Sequence, residues 1–87
     1  MSEESKKFVA EIFGRKYTLR VTEENEEQVR RMATHVDDAM KKVAEKQPRL
    51  HAQDVAILAA LHIAEEYEMQ KLDYQALLDV LEEAKPE

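Results

Sequence analysis

The chain contains no cysteine, a single glycine and two prolines in 87 residues. Without cysteine, neither a disulfide framework nor a thiolate metal site can staple the fold. A chain this short has room for one domain and has little core for its surface, so self-association is the expected source of further burial. One glycine rules out the glycine-rich loop that cradles phosphates. No long hydrophobic run is present either. The most apolar stretch, residues 55–64 broken only by His62, is about half of the ~20 residues needed to span a bilayer and is expected to be a buried helix segment. Residues 1–5 are acidic and lack the apolar segment of a secretory signal, so the cytoplasm is the expected compartment.

Base is also in deficit. Lys and Arg number 13 against 19 Asp and Glu, for a net charge of −6. The imbalance is uneven: residues 1–21 carry five basic and three acidic groups, and residues 65–87 carry two and eight. A generally acidic chain gains little from counterion release on DNA, where each neutralised phosphate needs a Lys or Arg. The asymmetry leaves room for the basic head to meet an acidic protein partner, with charge steering encounter more than setting affinity.

Residues 8–21 read as a β-hairpin, because alternate residues are apolar and Gly14 stands midway. A two-residue Gly14-Arg15 loop in a type II′ turn is the simplest expectation. It pairs Phe8 with Val21, Ala10 with Leu19 and Ile12 with Tyr17 on a wholly apolar face. Val9 with Arg20, Glu11 with Thr18 and Phe13 with Lys16 then form the outward face. Two strands alone are marginally stable and must pack on something.

Thr22 is placed to cap a first helix over about 23–46, whose opening turns hold Glu23, Glu24, Glu26 and Glu27 and whose end holds Lys41, Lys42 and Lys46. Val29, Met32, Ala33, Val36, Met40 and Val43 form an apolar stripe that could cover the hairpin. Gln47-Pro48 stops this helix, and a loop over 47–51 follows. The second helix is expected from Ala52 to near Pro86, within a C-terminal segment 52–87. At 1.5 Å per residue it would be roughly 48 Å long, against a diameter near ~30 Å for a compact globule of this size. Its far half must therefore project or pair. Ala56, Ala60, Ile63, Tyr67, Gln70, Tyr74, Leu77, Leu81 and Ala84 alternate by four and three, which is coiled-coil spacing. Gln70 is the polar member that can specify register and oligomer number. The fold class is thus α+β: a hairpin, an amphipathic helix packed on it and a long coiled-coil helix, in an oligomer.

No catalytic constellation emerges. Asp37 and Asp38 point about 100° apart on a helix and do not converge on a substrate, so a solvated face is the expectation. His62 with Glu66, and His35 with Asp38, are spaced like metal ligands but lack a third and fourth partner. His62 is expected to be a packed or interface residue, and no metal or cofactor is expected. Arg15, Lys16 and Arg20 put positive charge on a protruding hairpin beside an exposed Phe13 and Val9, although charged surface clusters are common without a partner.

Residues 12–17, the Val36-Asp37 pair and the Val55–Glu66 run together resemble the ZapA family of bacterial cell-division proteins over nearly the whole chain. His62 departs from the asparagine common in that family. The resemblance implies a cytoplasmic, non-enzymatic homodimer, able to associate further to a tetramer, that binds and bundles filaments of the tubulin relative FtsZ at the division site. It also points to Arg15 as the FtsZ contact, with Lys16 and Arg20 added from their charge. Two other classes compete. A dimeric β-ribbon or helix-turn-helix DNA regulator would need a basic stripe that the acidic tail does not provide, and a passive oligomerisation module would serve another protein partner.

Overall fold

The computed structural model describes residues 4–83. Strands β1 (Lys6–Ile12) and β2 (Arg15–Val21) form an antiparallel hairpin, followed by helices α1 (Glu26–Lys46) and α2 (Ala52–Glu83). Ala84 and Pro86, read above as seam and helix end, lie outside the described residues.

The hairpin departs from the expected register by two residues. Phe8 faces Leu19, Ala10 faces Tyr17 and Ile12 faces Arg15, so the loop is Phe13-Gly14 and not Gly14-Arg15. Both loop residues have positive φ, 51° for Phe13 and 78° for Gly14, the signature of a type I′ turn. A slip of two preserves side-chain parity. Phe8, Ala10, Ile12, Tyr17, Leu19 and Val21 therefore still share one face, and Ala10 and Val21 are buried. Phe13, expected to be exposed, is instead half-buried and packs against the helical core.

β1 lies along α1 and runs in the same direction. At one end Lys6 Nζ is 2.9 Å from Glu26 Oε2, and the Arg30 guanidinium lies 4.8 Å from the centre of the Phe8 ring. At the other end the Phe13 N–H meets Asp37. The first helix begins one turn later than the sequence suggested. Asn25 Oδ1 accepts from the Thr22 N–H at 2.8 Å, and Thr22 Oγ1 faces the Asn25 N–H at 3.4 Å. This reciprocal exchange has the form of a capping box, but it closes a separate turn over 22–25, and regular helix starts only at Glu26.

The C-terminal half of α1 packs antiparallel on the N-terminal half of α2. Ala39, Met40, Val55 and Ala59 form the core, with Ile12, Phe13, Val36, Val43, Leu50 and Ile63 packed around it. Of the expected α1 stripe, Met32 is 57% exposed, while Ala39, outside that stripe, is buried. The reason is local. The small Ala39 and Ala59 let the two helices approach closely, and Met32 lies a turn or more before this contact. Gln47, with φ −134° and ψ 74°, leaves the helical region, which a following proline disfavours, and ends α1.

α2 has 32 residues and outruns its neighbours. The radius of gyration is 18.2 Å, against about 12 Å for a compact chain of this length, and the principal extents are 57 × 46 × 13 Å. A flat head thus carries a long stalk.

Candidate interaction site

Two surfaces are candidates, the hairpin tip and the bare face of α2. At the tip, Asp37 of α1 reaches back across 24 positions: its Oδ1 accepts the Phe13 N–H at 2.7 Å, while Oδ2 pairs with Lys41 Nζ at 2.8 Å. The Asp37 side chain is only 16% exposed. The Lys41 ammonium, and secondarily the Phe13 amide, hold its carboxyl below the usual aspartate range. Asp37 is therefore not part of a solvated face, as its acidic neighbourhood suggested, but an anchor for the turn.

That turn separates the three expected basic contacts. Arg15, Lys16 and Arg20 are all exposed, and none takes part in an ion pair among the described residues. Arg15, however, opens β2 opposite Ile12, so alternation puts it on the helix-facing side. Lys16 and Arg20 point outward with Thr18. Lys16 faces Glu11, and Arg20 faces Lys7, which puts a second cation beside it on the outward face. Arg15 instead stands at the rim of a groove of about 730 Å³, lined by Ile12, Phe13, Tyr17, Leu19, Met40 and Ala56.

On α2, every expected seam residue from Tyr67 to Leu81 is exposed: Tyr67, Gln70, Tyr74, Leu77 and Leu81. Nearer the head Ala60 is exposed, while Ala56 and Ile63 are half-buried beside the core. Ala56 belongs both to the seam and to the groove below the hairpin, so the two apolar surfaces are continuous. Leu72, exposed as well, lies across the helix from the seam at about 100° per residue, while the exposed Met69 and Val80 stand on one flank of it.

The histidines pair differently from their sequence spacing. His35 Nε2 does not turn to Asp38 but lies 3.2 Å from Glu66 Oε2, and His62 Nε2 lies 3.0 Å from the other oxygen of the same carboxylate. One glutamate of α2 thus links α1 to the base of the stalk. His62 is 51% exposed, so it is not packed within the chain.

The sequence profile described as "Cell division protein ZapA" matches residues 10–86. The chain belongs to the ZapA family. Among relatives named Cell division protein ZapA, that of Geobacillus sp. (strain WCH70) is 35% identical and covers 100% of both chains. That of Geobacillus kaustophilus (strain HTA426) is 38% identical over 85% of this chain and 80% of its own. A solved ZapA mutant dimer from Geobacillus stearothermophilus matches with a TM-score of 0.69 and 34% identity, covering 94% of each chain. Its dimeric state supports self-association of this ZapA-family chain. An unknown conserved bacterial protein from Pseudomonas aeruginosa PAO1 shares the fold, at a TM-score of 0.71 and 21% identity over 92% of this chain and 100% of its own. Among the described residues, no helix is long and apolar enough to cross a membrane.

Proposed function

We propose that this chain binds FtsZ filaments at the division site through the hairpin tip and, as a dimer paired along α2, cross-links them without catalysing a reaction. The observation that carries the reading is the bare stalk. Tyr67, Tyr74, Leu77 and Leu81 are exposed at heptad spacing on a helix that leaves its own head behind, in a chain of a cell-division family. Pairing along that stripe joins two heads into one rigid object, and each head offers a copy of the same tip. Arg15 is the principal contact: it is exposed, it carries an unpaired charge among the described residues, and it stands at the rim of an apolar groove. Lys16 and Arg20 face the other way and contribute to encounter. The acidic stalk, with Glu65, Glu68, Asp73, Asp79, Glu82 and Glu83, repels a nucleic-acid backbone and argues against the regulator reading.

The test is co-sedimentation with FtsZ and GTP, with light scattering to follow bundling and an Arg15→Asp variant alongside. Co-pelleting with raised scattering, lost in the variant, supports both the partner and the surface. No co-pelleting at physiological salt would leave an oligomeric module for another partner.

A further inference from the structure

We infer that Asp37 is a positioning residue for the proposed filament contact: by accepting the Phe13 N–H it selects the hairpin register that places Arg15 at the head of β2. This rests on the reading of Arg15 just given.

Two registers satisfy the hydrophobic pattern of this hairpin. One turns at Gly14-Arg15 and the other at Phe13-Gly14. They differ by a slip of two, so both put Phe8, Ala10, Ile12, Tyr17, Leu19 and Val21 on one face, and those six residues do not choose between them. Local backbone preference favours the first, because it needs a positive φ only at the glycine. The second forces Phe13 to φ 51°, a conformation that disfavours a residue with a bulky side chain. The structure nevertheless adopts the second.

What opposes the local preference comes from α1. In the Gly14-Arg15 register Phe13 would flank the turn opposite Lys16, and its N–H would be taken up by the strand ladder. In the observed register that N–H points to α1 and is met by a carboxylate at 2.7 Å. Hydrogen bonds to a charged acceptor are stronger than those between neutral groups. The Phe13 ring is seated against the α1–α2 core by the same displacement. The register decides where the charge goes: with the turn at Phe13-Gly14, Arg15 leaves the loop, pairs with Ile12 and takes the groove side, whereas the alternative would hold it in the loop itself. The Val36-Asp37 pair thus has a structural task, with Val36 packing on the core and Asp37 setting the turn.

The experiment compares Asp37→Ala, Asp37→Asn and Arg15→Asp in the full chain. Asparagine keeps an oxygen that can accept the Phe13 N–H, and Lys41, largely exposed, is free to turn to water. Removing the acceptor should lower the population of the binding-competent turn, and so raise the concentration for half-maximal co-pelleting with FtsZ, by about tenfold. Expected are weakened co-pelleting for Asp37→Ala at unchanged oligomer mass, retention in Asp37→Asn, and protection of the Phe13 amide from hydrogen exchange in the parent and Asp37→Asn but not in Asp37→Ala. Parental binding by Asp37→Ala, or equal loss in both Asp37 variants, would overturn the positioning role. If Arg15→Asp binds like the parent, the Arg15 contact falls, while Phe13 protection still decides whether Asp37 sets the turn: protection surviving in Asp37→Ala overturns it.

Discussion

Gly14 has φ 78°, and a Cβ built there would meet nothing within 4 Å. Any cost of Gly14→Ala is therefore a backbone cost, with no clash to relieve by repacking. About 1 kcal/mol of destabilisation is expected, read as a lower urea midpoint with an unchanged slope. Carboxylates anchor the hairpin at both ends, and their titration has a definite sign. Hydrogen bonding to Lys41 and then to Phe13 lowers the pKa of Asp37, and hydrogen bonding to Lys6 lowers that of Glu26. Folded values below the unfolded ones mean that both contributions are fully present above the ordinary carboxylate range and are lost as pH falls through the depressed folded values. Stability should thus hold from neutrality to about pH 5 and fall below about pH 4. Asp37→Asn should remove part of that acid limb in urea melts collected as a function of pH.

At the scale of elements, α2 packs on the head over its first half and leaves an exposed apolar stripe over its second, the stripe proposed above to pair with another chain. Leu77 is 55% exposed and touches nothing in its own head, whereas Ile63 packs beside the core. Leu77→Asp is therefore the cleaner probe of the seam. It should leave the monomer fold and its far-ultraviolet circular dichroism unchanged while raising the dimer dissociation constant roughly a hundredfold, since a symmetric pair buries the unpaired charge twice. Sedimentation equilibrium reads the mass, and an unchanged dimer would remove Leu77 from the interface. The long helix was legible in the sequence because its signal is repetition, heptads unbroken by glycine or proline from Ala52 to Glu83. The hairpin faces were legible for the same reason, period two being insensitive to a slip of two. The turn was not, because its choice depends on a carboxylate 24 residues away that no local pattern reveals. Thr22 does not cap the helix as expected: the N-cap is Asn25, and Thr22 exchanges hydrogen bonds with Asn25 in a separate turn before it. Arg15 was found as a charge, and its side of the hairpin came only with the register.

The whole molecule explains why binding and bundling should separate. One head offers one tip, and a single weak contact decorates a filament without joining it to another. Two heads joined through α2, as proposed, would change the second contact into an intramolecular event, governed by an effective concentration that the stalk sets. In the proposed pairing a rigid helix would hold the two tips at a fixed span, where a flexible linker would let both fall on one filament. Leu77→Asp then has a second consequence beyond mass. As a monomer with an intact tip it should still co-pellet with FtsZ at raised protein concentration, but light scattering should show no bundling at any concentration where the chain stays monomeric. Arg15→Asp should fail in both assays while remaining a dimer. Bundling by a chain shown to be monomeric under the same conditions would mean that a single head carries two filament contacts, and the stalk would lose its place in the mechanism.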